Sequence, residues 1–289
     1  NIDLYVGGSE HTIGHLLYIR FWTKFLYDLG YLPFDEPAKK LVNQGIILKK
    51  SDVYPYKAEK MSKSKFNVVT PDEIIKKYGA DTLRLYEMFL GPIRQSKVWN
   101  TDSITGVFNF LNKFWYLFHF IKDGNDVFFL SDDDATKDEL KILHKTIKKV
   151  QEDIENYSFN TCVSAFMICV NKLTELKCNK RIILEPLVIL LSSFAPHITE
   201  EIWGKFGYKE SIFFSEFPKY NKEYLIEDFF TYPISFNGKV RFNLELSLTL
   251  TLFEIEKEVL ACEQTKKYLD GNLHKKVIVV SLKIVNIIK

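Results

Sequence analysis

The chain has 289 residues, 46% hydrophobic and 26% charged, with 39 Lys and Arg against 37 Asp and Glu. That length can bury a sizeable core and suggests two or three domains, while the near-balanced charge excludes a globally basic nucleic-acid binder and leaves a local basic patch open. Cys162, Cys169, Cys178 and Cys262 form no C-x-x-C pair and the longest apolar run contains a proline, so a cytoplasmic protein with no disulfide framework, sulfur-rich zinc site or membrane span is expected.

The chain opens on NIDLYVGG without a methionine or signal peptide, so Asn1 is expected not to be a natural start. Residues 2–6 read as a strand ending at Gly7 and Gly8. A helix is expected from about Glu10 to Leu29, with Leu16, Leu17, Phe21, Phe25 and Leu26 on its apolar face and Gly30 as its stop. His11 and His15 stand four residues apart, a spacing known among zinc ligands. The stretch lacks the glutamate of H-E-x-x-H and suggests no third ligand, so no metal is expected. "AKKLVNQGIILKK" reads as a short helix leading into a strand. The polar, lysine-rich stretch that follows, "SDVYPYKAEKMSKSKFNVVTP", reads as a loop with Val68 and Val69 behind it, and Thr70-Pro71-Asp72-Glu73 starts a helix.

From about Trp99 to Phe217 the pattern is helical throughout. Phe159, Val163, Phe166, Val170 and Leu173 share one helix face, and residues 182–194 read as a central helix apolar nearly all round. After Tyr220 the texture changes. "ISFNGKVRFNLELSL" alternates about an Asn-Gly turn, a hairpin signal, and a helix over about 253–270 and two β-rich runs (276–281 and 283–288) follow.

The stretch with most chemical content is Lys60-Met61-Ser62-Lys63-Ser64. Taken alone it is a solvated basic loop, but it lies between a strand and a capped helix in an α/β region. There it matches the second motif of class I aminoacyl-tRNA synthetases. Activation of an amino acid expels pyrophosphate from ATP, so negative charge builds on the departing oxygens. Lys60 and Lys63 on a mobile loop could stabilise that charge, Ser62 and Ser64 add donors, and Met61 can pack near the adenine.

Beyond this loop the chain resembles the bacterial-type leucyl-tRNA synthetases. The likeness rests on "YVGGSEHTIGHLLYIRFWTKFLYDLG", "LVNQGIIL", "KMSKSKFNVVTPDEIIKKYGADTLRLYEMFLGP", "LHKTIKKVQEDIENYSFNT", "SFAPHITEEIW" and "FNGKVR". Isoleucyl and valyl enzymes share the lysine loop but not "GGxEHxxxHLLYxRFW", so the leucyl enzymes are the better match. The resemblance implies a multidomain α+β chain. Residues 1–98 would be the C-terminal half of a Rossmann-type catalytic domain with its stem, 99–220 a helical anticodon-binding-type bundle, and 221–289 a small α/β tRNA-contacting domain.

By the same resemblance Gly7 and Gly8 allow close approach of the adenylate, Glu10 accepts from the ribose hydroxyls, and Lys60, Met61, Ser62, Lys63 and Ser64 meet ATP with its Mg2+. His11 and His15 would shape the leucine pocket, with a purely structural role for His15 as the alternative. "TIGH" looks like the family's first motif, H-x-G-H, but lies too close to Lys60 in sequence to be it. That motif, the first Rossmann half and the editing domain are expected upstream in a longer chain or in a partner subunit. The implied function is leucine activation with ATP and transfer to tRNA(Leu), inactive in this chain alone. The alternatives are a tRNA-binding subunit or fragment with no catalysis of its own, or a related isoleucyl- or valyl-tRNA synthetase.

Three departures from the family stand out. Phe66 replaces a usual Gly, residues 49–59 make a very short connection where many relatives insert a leucine-specific module, and Asn109 stands near a usual arginine. Lys145, Lys148 and Lys149 lie on one helix and could meet tRNA phosphates, with a solvated face as the equal alternative. Lys239 and Arg241 flank the Asn-Gly turn; the resemblance implies that this C-terminal unit approaches the tRNA, which favours a phosphate or sugar role for them. Asp81 and Arg84 are expected to pair across one helical turn, His197 to be structural, and Trp99, Trp115 and Trp203 to pack rather than stack on bases.

Overall fold

The computed structural model describes residues 1–50, 57–226, 229–271 and 273–289, so the central part of the short 49–59 connection lies outside the described residues. The chain divides into two compact units, Asn1–Tyr224 and Leu225–Lys289.

The first unit opens with strand β1 (Tyr5–Gly8), helix α1 (Leu17–Asp28) and strand β2 (Leu41–Gln44). β1 and β2 pair in parallel, Tyr5 opposite Leu41 and Gly8 opposite Gln44. β3 (Ile47–Lys50), β4 (Ala58–Lys60), α2 (Pro71–Tyr78), α3 (Ala80–Phe89) and β5 (Lys97–Val98) follow. β3 is central in its sheet, antiparallel to β4 and parallel to β5. Next come α4 (Ile104–Trp115), the hairpin of β6 (His119–Lys122) and β7 (Asn125–Phe128), and the helices α5 (Lys137–Glu155), α6 (Phe159–Glu175), α7 (Arg181–Ser192) and α8 (Pro196–Lys205). One hydrophobic core runs through this unit from Ile74, Leu85 and Trp99 to Phe114, Val150, Phe166 and Leu187. The expected face of α6 is inside it: Val163, Phe166, Val170 and Leu173 are all buried.

Several elements differ from the sequence expectation. The helix expected from Glu10 begins as a 3₁₀ turn (Ser9–His11) and a wider π turn (Thr12–Leu16) before regular α-helix starts at Leu17. Its apolar face is not buried: Leu17, Phe21 and Phe25 face solvent, and Thr23 is the residue of α1 that is inside. The short helix expected at the start of the 38–50 segment does not form; Ala38 bridges Ile2, and the segment forms β2 and β3 on either side of Gly45. A Cβ at Gly45 would stand 2.1 Å from the Gln95 carbonyl, so the strand break is a place where two backbones touch. The stretch from Trp99 is not helical throughout. Asp123 and Gly124, with φ of 50° and 79°, turn β6 back on β7. An Asp-Gly turn supports such a left-handed pair, and here it overrides the helical period of the aromatics around it. Thr70 does precede α2, but makes no side-chain capping bond; Pro71 sets the first turn.

Asp81 and Arg84 do not pair with each other. Asp81 accepts the amides of His197 (3.3 Å) and Ile198 (2.7 Å) and bonds the His197 ring at 2.8 Å. Arg84 donates to the carbonyls of Ser193 and Phe194. Helix ends expose backbone groups that outcompete a side chain one turn away. Trp99 and Trp203 are buried, and Trp115 stacks on the buried His119 at 3.8 Å.

The second unit contains β8 (Phe229–Phe236), β9 (Lys239–Ser247), α9 (Leu252–Ala261), α10 (Glu263–Leu269), β10 (Lys276–Val280) and β11 (Ile284–Ile288). Its sheet order is β10-β11-β8-β9, with β11 parallel to β8. Tyr232, Ile234 and Phe236 pack with Ile255, Val259, Val285 and Ile287. Asn237 and Gly238, at φ of 48° and 80°, form the expected hairpin turn. The single helix expected over 253–270 is instead two, because Cys262 is extended (φ −59°, ψ 132°).

Candidate active site

The glycine-rich turn leaves the end of β1. The Glu10 carboxylate folds back over Gly8, where a Cβ would lie 2.1 Å from Oε2, while the space around Gly7 is open. Glu10, His11 and His15 are all exposed. The Thr12 hydroxyl donates to the Ser9 carbonyl at 2.6 Å and closes the turn. Because the π turn holds more residues than an α-helical one, His11 and His15 do not share a regular helix face. His15 has a partner of its own: its Nε2 and the Tyr5 hydroxyl share a hydrogen bond, and the two rings stack.

The lysine loop leaves the end of β4. Lys60 is the last residue of that strand, and Lys63–Lys65 form a 3₁₀ turn. Lys60 and Lys63 are exposed, whereas Met61 is half-buried against the core of the unit. The Ser62 and Ser64 hydroxyls bond each other at 2.8 Å. Lys65 is committed to Glu59; its hydrogen bond and charge hold that carboxyl below the usual range. Phe66 closes the turn in the left-handed region, at φ 50°, with 74% of its surface exposed. A glycine would meet that conformation without a Cβ penalty, so Phe66 carries a strain that a glycine there would not. Behind it the buried Asn67 bonds the Ser62 amide. Sequence reasoning missed Asn67; its one signal was a polar residue beside the Val68–Val69 pair.

The residues singled out for tRNA lie on two elements. Lys145, Lys148 and Lys149 are on α5, where Lys148 meets Glu152 at 3.8 Å and Lys149 meets Asp153 at 2.7 Å. Lys239 and Arg241 are exposed on β9, and the Arg241 guanidinium lies 6.0 Å over the Tyr268 ring. Asn109 is exposed on α4. Among the described residues no three His, Cys, Asp or Glu side chains are grouped to hold a metal ion, and no helix is long and apolar enough to cross a membrane.

Known proteins share both halves of this arrangement. Residues 7–98, which carry the glycine turn and the lysine loop, match the family described as tRNA synthetases class I (I, L, M and V). Residues 137–258 match the anticodon-binding domain of tRNA ligase. The leucine–tRNA ligase of Christiangramia forsetii is 51% identical over 100% of this chain and 36% of its own length; that of Cytophaga hutchinsonii is 48% identical over 99% and 38%. Among solved structures, the ternary complex of Agrobacterium radiobacter K84 agnB2 LeuRS-tRNA-LeuAMS is 29% identical, with a TM-score of 0.71 over 99% of this chain and 38% of that one. The chain belongs to the leucine–tRNA ligase family of the class I tRNA synthetases. It spans little more than a third of the length of these relatives. The first match runs over 350 positions against the 289 residues here, so that relative carries residues within the matched span that this chain lacks.

Proposed function

We propose that this chain is the C-terminal part of a leucine–tRNA ligase, which activates leucine with ATP and transfers it to tRNA(Leu). Residues 1–98 form the second half of a Rossmann-type catalytic domain with its stem, 99–220 an anticodon-binding-type bundle, and 221–289 a small tRNA-contacting domain. The observation that carries the reading is the loop Lys60–Ser64: two exposed lysines and two hydroxyls at a strand end, in a chain about half identical to leucine–tRNA ligases.

The donor set suits a magnesium-bound triphosphate. Lys60 and Lys63 present ammonium groups to the β- and γ-phosphates, while Ser62 and Ser64 add hydroxyl donors. The leucine carboxylate attacks the α-phosphate and pyrophosphate leaves; charge builds on the leaving oxygens, and the two lysines stabilise it there. Glu10 accepts from the ribose hydroxyls, and Gly7 admits the nucleotide; the Glu10 carboxylate folded over Gly8 and the open space at Gly7 support this. His11 and His15 border the leucine side chain, His15 with its ring fixed by Tyr5. No covalent intermediate with the protein is needed, and catalysis is positioning plus charge stabilisation. The other half of the nucleotide site, with an H-x-G-H turn, comes from a further segment or subunit. Lys145, Lys148 and Lys149 on α5 and Lys239 and Arg241 on β9 approach tRNA phosphates.

Leucine-dependent exchange of pyrophosphate into ATP tests this. The complete ligase is expected to exchange, its Lys63→Ala variant to lose about 100-fold in kcat, and the present chain alone to show none. An undiminished Lys63→Ala variant would overturn the loop assignment. Robust exchange by the present chain would overturn the incomplete site.

A further inference from the structure

We infer that Asn67 is a positioning residue whose carboxamide pins the lysine loop to the strands that present it. This rests on the synthetase reading above. Asn67 is 0% exposed, although its neighbours Phe66 and Val68 both face solvent. Its Oδ1 accepts the Ser62 amide at 2.8 Å. Its Nδ2 donates to the carbonyls of Lys49 on β3, at 3.3 Å, and of Lys60 on β4, at 3.4 Å. The orientation of the amide is dictated by its partners: two carbonyls can only accept, and a backbone N–H can only donate.

The location gives these bonds their consequence. The β3–β4 ladder pairs Lys49 with Glu59 and Leu48 with Lys60, so the pin sits where strand pairing stops. Beyond it the chain forms only a tight turn, with the Lys65 amide on the Ser62 carbonyl at 3.0 Å and the Phe66 amide on the Lys63 carbonyl at 3.2 Å. That turn carries Lys63. Both its feet are held by one side chain: Ser62 through its amide, and Asn67 itself through β3 and β4. A turn held in this way moves as one piece, so Lys63 approaches the phosphates from a fixed starting point and less ordering is left for the transition state. The chemistry also restricts substitutes. Aspartate keeps the acceptor for Ser62 but sets a carboxylate against two carbonyl oxygens, and alanine loses all three bonds.

The test uses the complete ligase and compares Asn67→Ala, Lys63→Ala and the double variant in leucine-dependent pyrophosphate exchange. Asn67→Ala is expected to lower kcat about tenfold or more with the KM for leucine nearly unchanged, and the double variant to be no slower than Lys63→Ala, because both act through one contact. Additive losses, or an Asn67→Ala enzyme as fast as the parent, would overturn the inference. Asn67→Asp, isosteric with the parent, is expected to show the same kcat loss and serves if the alanine variant does not fold. Trypsin cleavage after Lys63 and Lys65 separates the two levels. It is expected to quicken in Asn67→Ala relative to cleavage at sites outside the loop; cleavage at the parent rate removes the pin. Quickened cleavage with an undiminished Lys63→Ala variant keeps the pin and removes the synthetase role of the loop.

Discussion

Glu139 is a buried charge in the first turn of α5. Its carboxylate is 4% exposed and bonds the Lys180 ammonium at 2.8 Å and the Thr136 amide at 2.7 Å. Burial alone would push its pKa up, but the hydrogen bonds from Lys180 and Thr136 outweigh it and hold the group at about 2 against an ordinary 4.5. The folded value lies below the unfolded one. The stabilisation is therefore complete above about pH 4.5 and lost as pH falls through about 2. Lys180→Met leaves the carboxylate without its counter-charge and is expected to lower stability near neutral pH. Urea melts across the acid range check this: the gap between parent and variant should narrow toward the low-pH end. A gap independent of pH would mean that the lysine stem, not its charge, supports the fold.

At the scale of elements, the α7–α8 connection is clamped from α3. Arg84 faces the carbonyl end of α7 and Asp81 the amide end of α8, each opposite the helix partial charge it complements. Asp81→Ala removes the acceptor of two terminal amides and is expected to cost about 2 kcal/mol. It should also speed hydrogen exchange at Ile198 while leaving the core of α6 protected; equal loss of protection in both would refute a local cap. The sequence did not show this clamp, because a capping side chain more than a hundred residues away leaves no local pattern. Where the determinant is local, reading succeeded: Asn237-Gly238 made its hairpin, and the apolar faces of α6 and α7 are inside. Asp123-Gly124 carried the same signal, hidden among aromatics spaced like a helix. The lysine loop and glycine turn were legible as motifs, whereas Asn67 was not, since its partners on β3 and β4 meet it only after folding.

Across the whole molecule, the feature that most departs from a self-sufficient fold is α1 with its sheet. Leu17, Tyr18, Phe21 and Trp22 are each more than half exposed, and Val6 and Leu41 of the β1–β2 pair also face water. Parallel strands are ordinarily covered on both faces, and apolar patches beyond a few hundred Å² mark surfaces made for contact. The amphipathic pattern of α1 was therefore read correctly as apolar, while the side it faces depends on what packs against it. The chain alone is expected to bind an apolar dye and to self-associate as concentration rises. Replacing Phe21 and Trp22 together by glutamate should suppress both effects with little change in melting temperature, since neither side chain belongs to the buried core. If the chain is part of a complete ligase, as proposed, the same double substitution there should reduce leucine-dependent exchange, since the rest of the catalytic domain would cover this face. A chain that stays monomeric and binds no dye before substitution would show that this apolar face does not act as a contact surface.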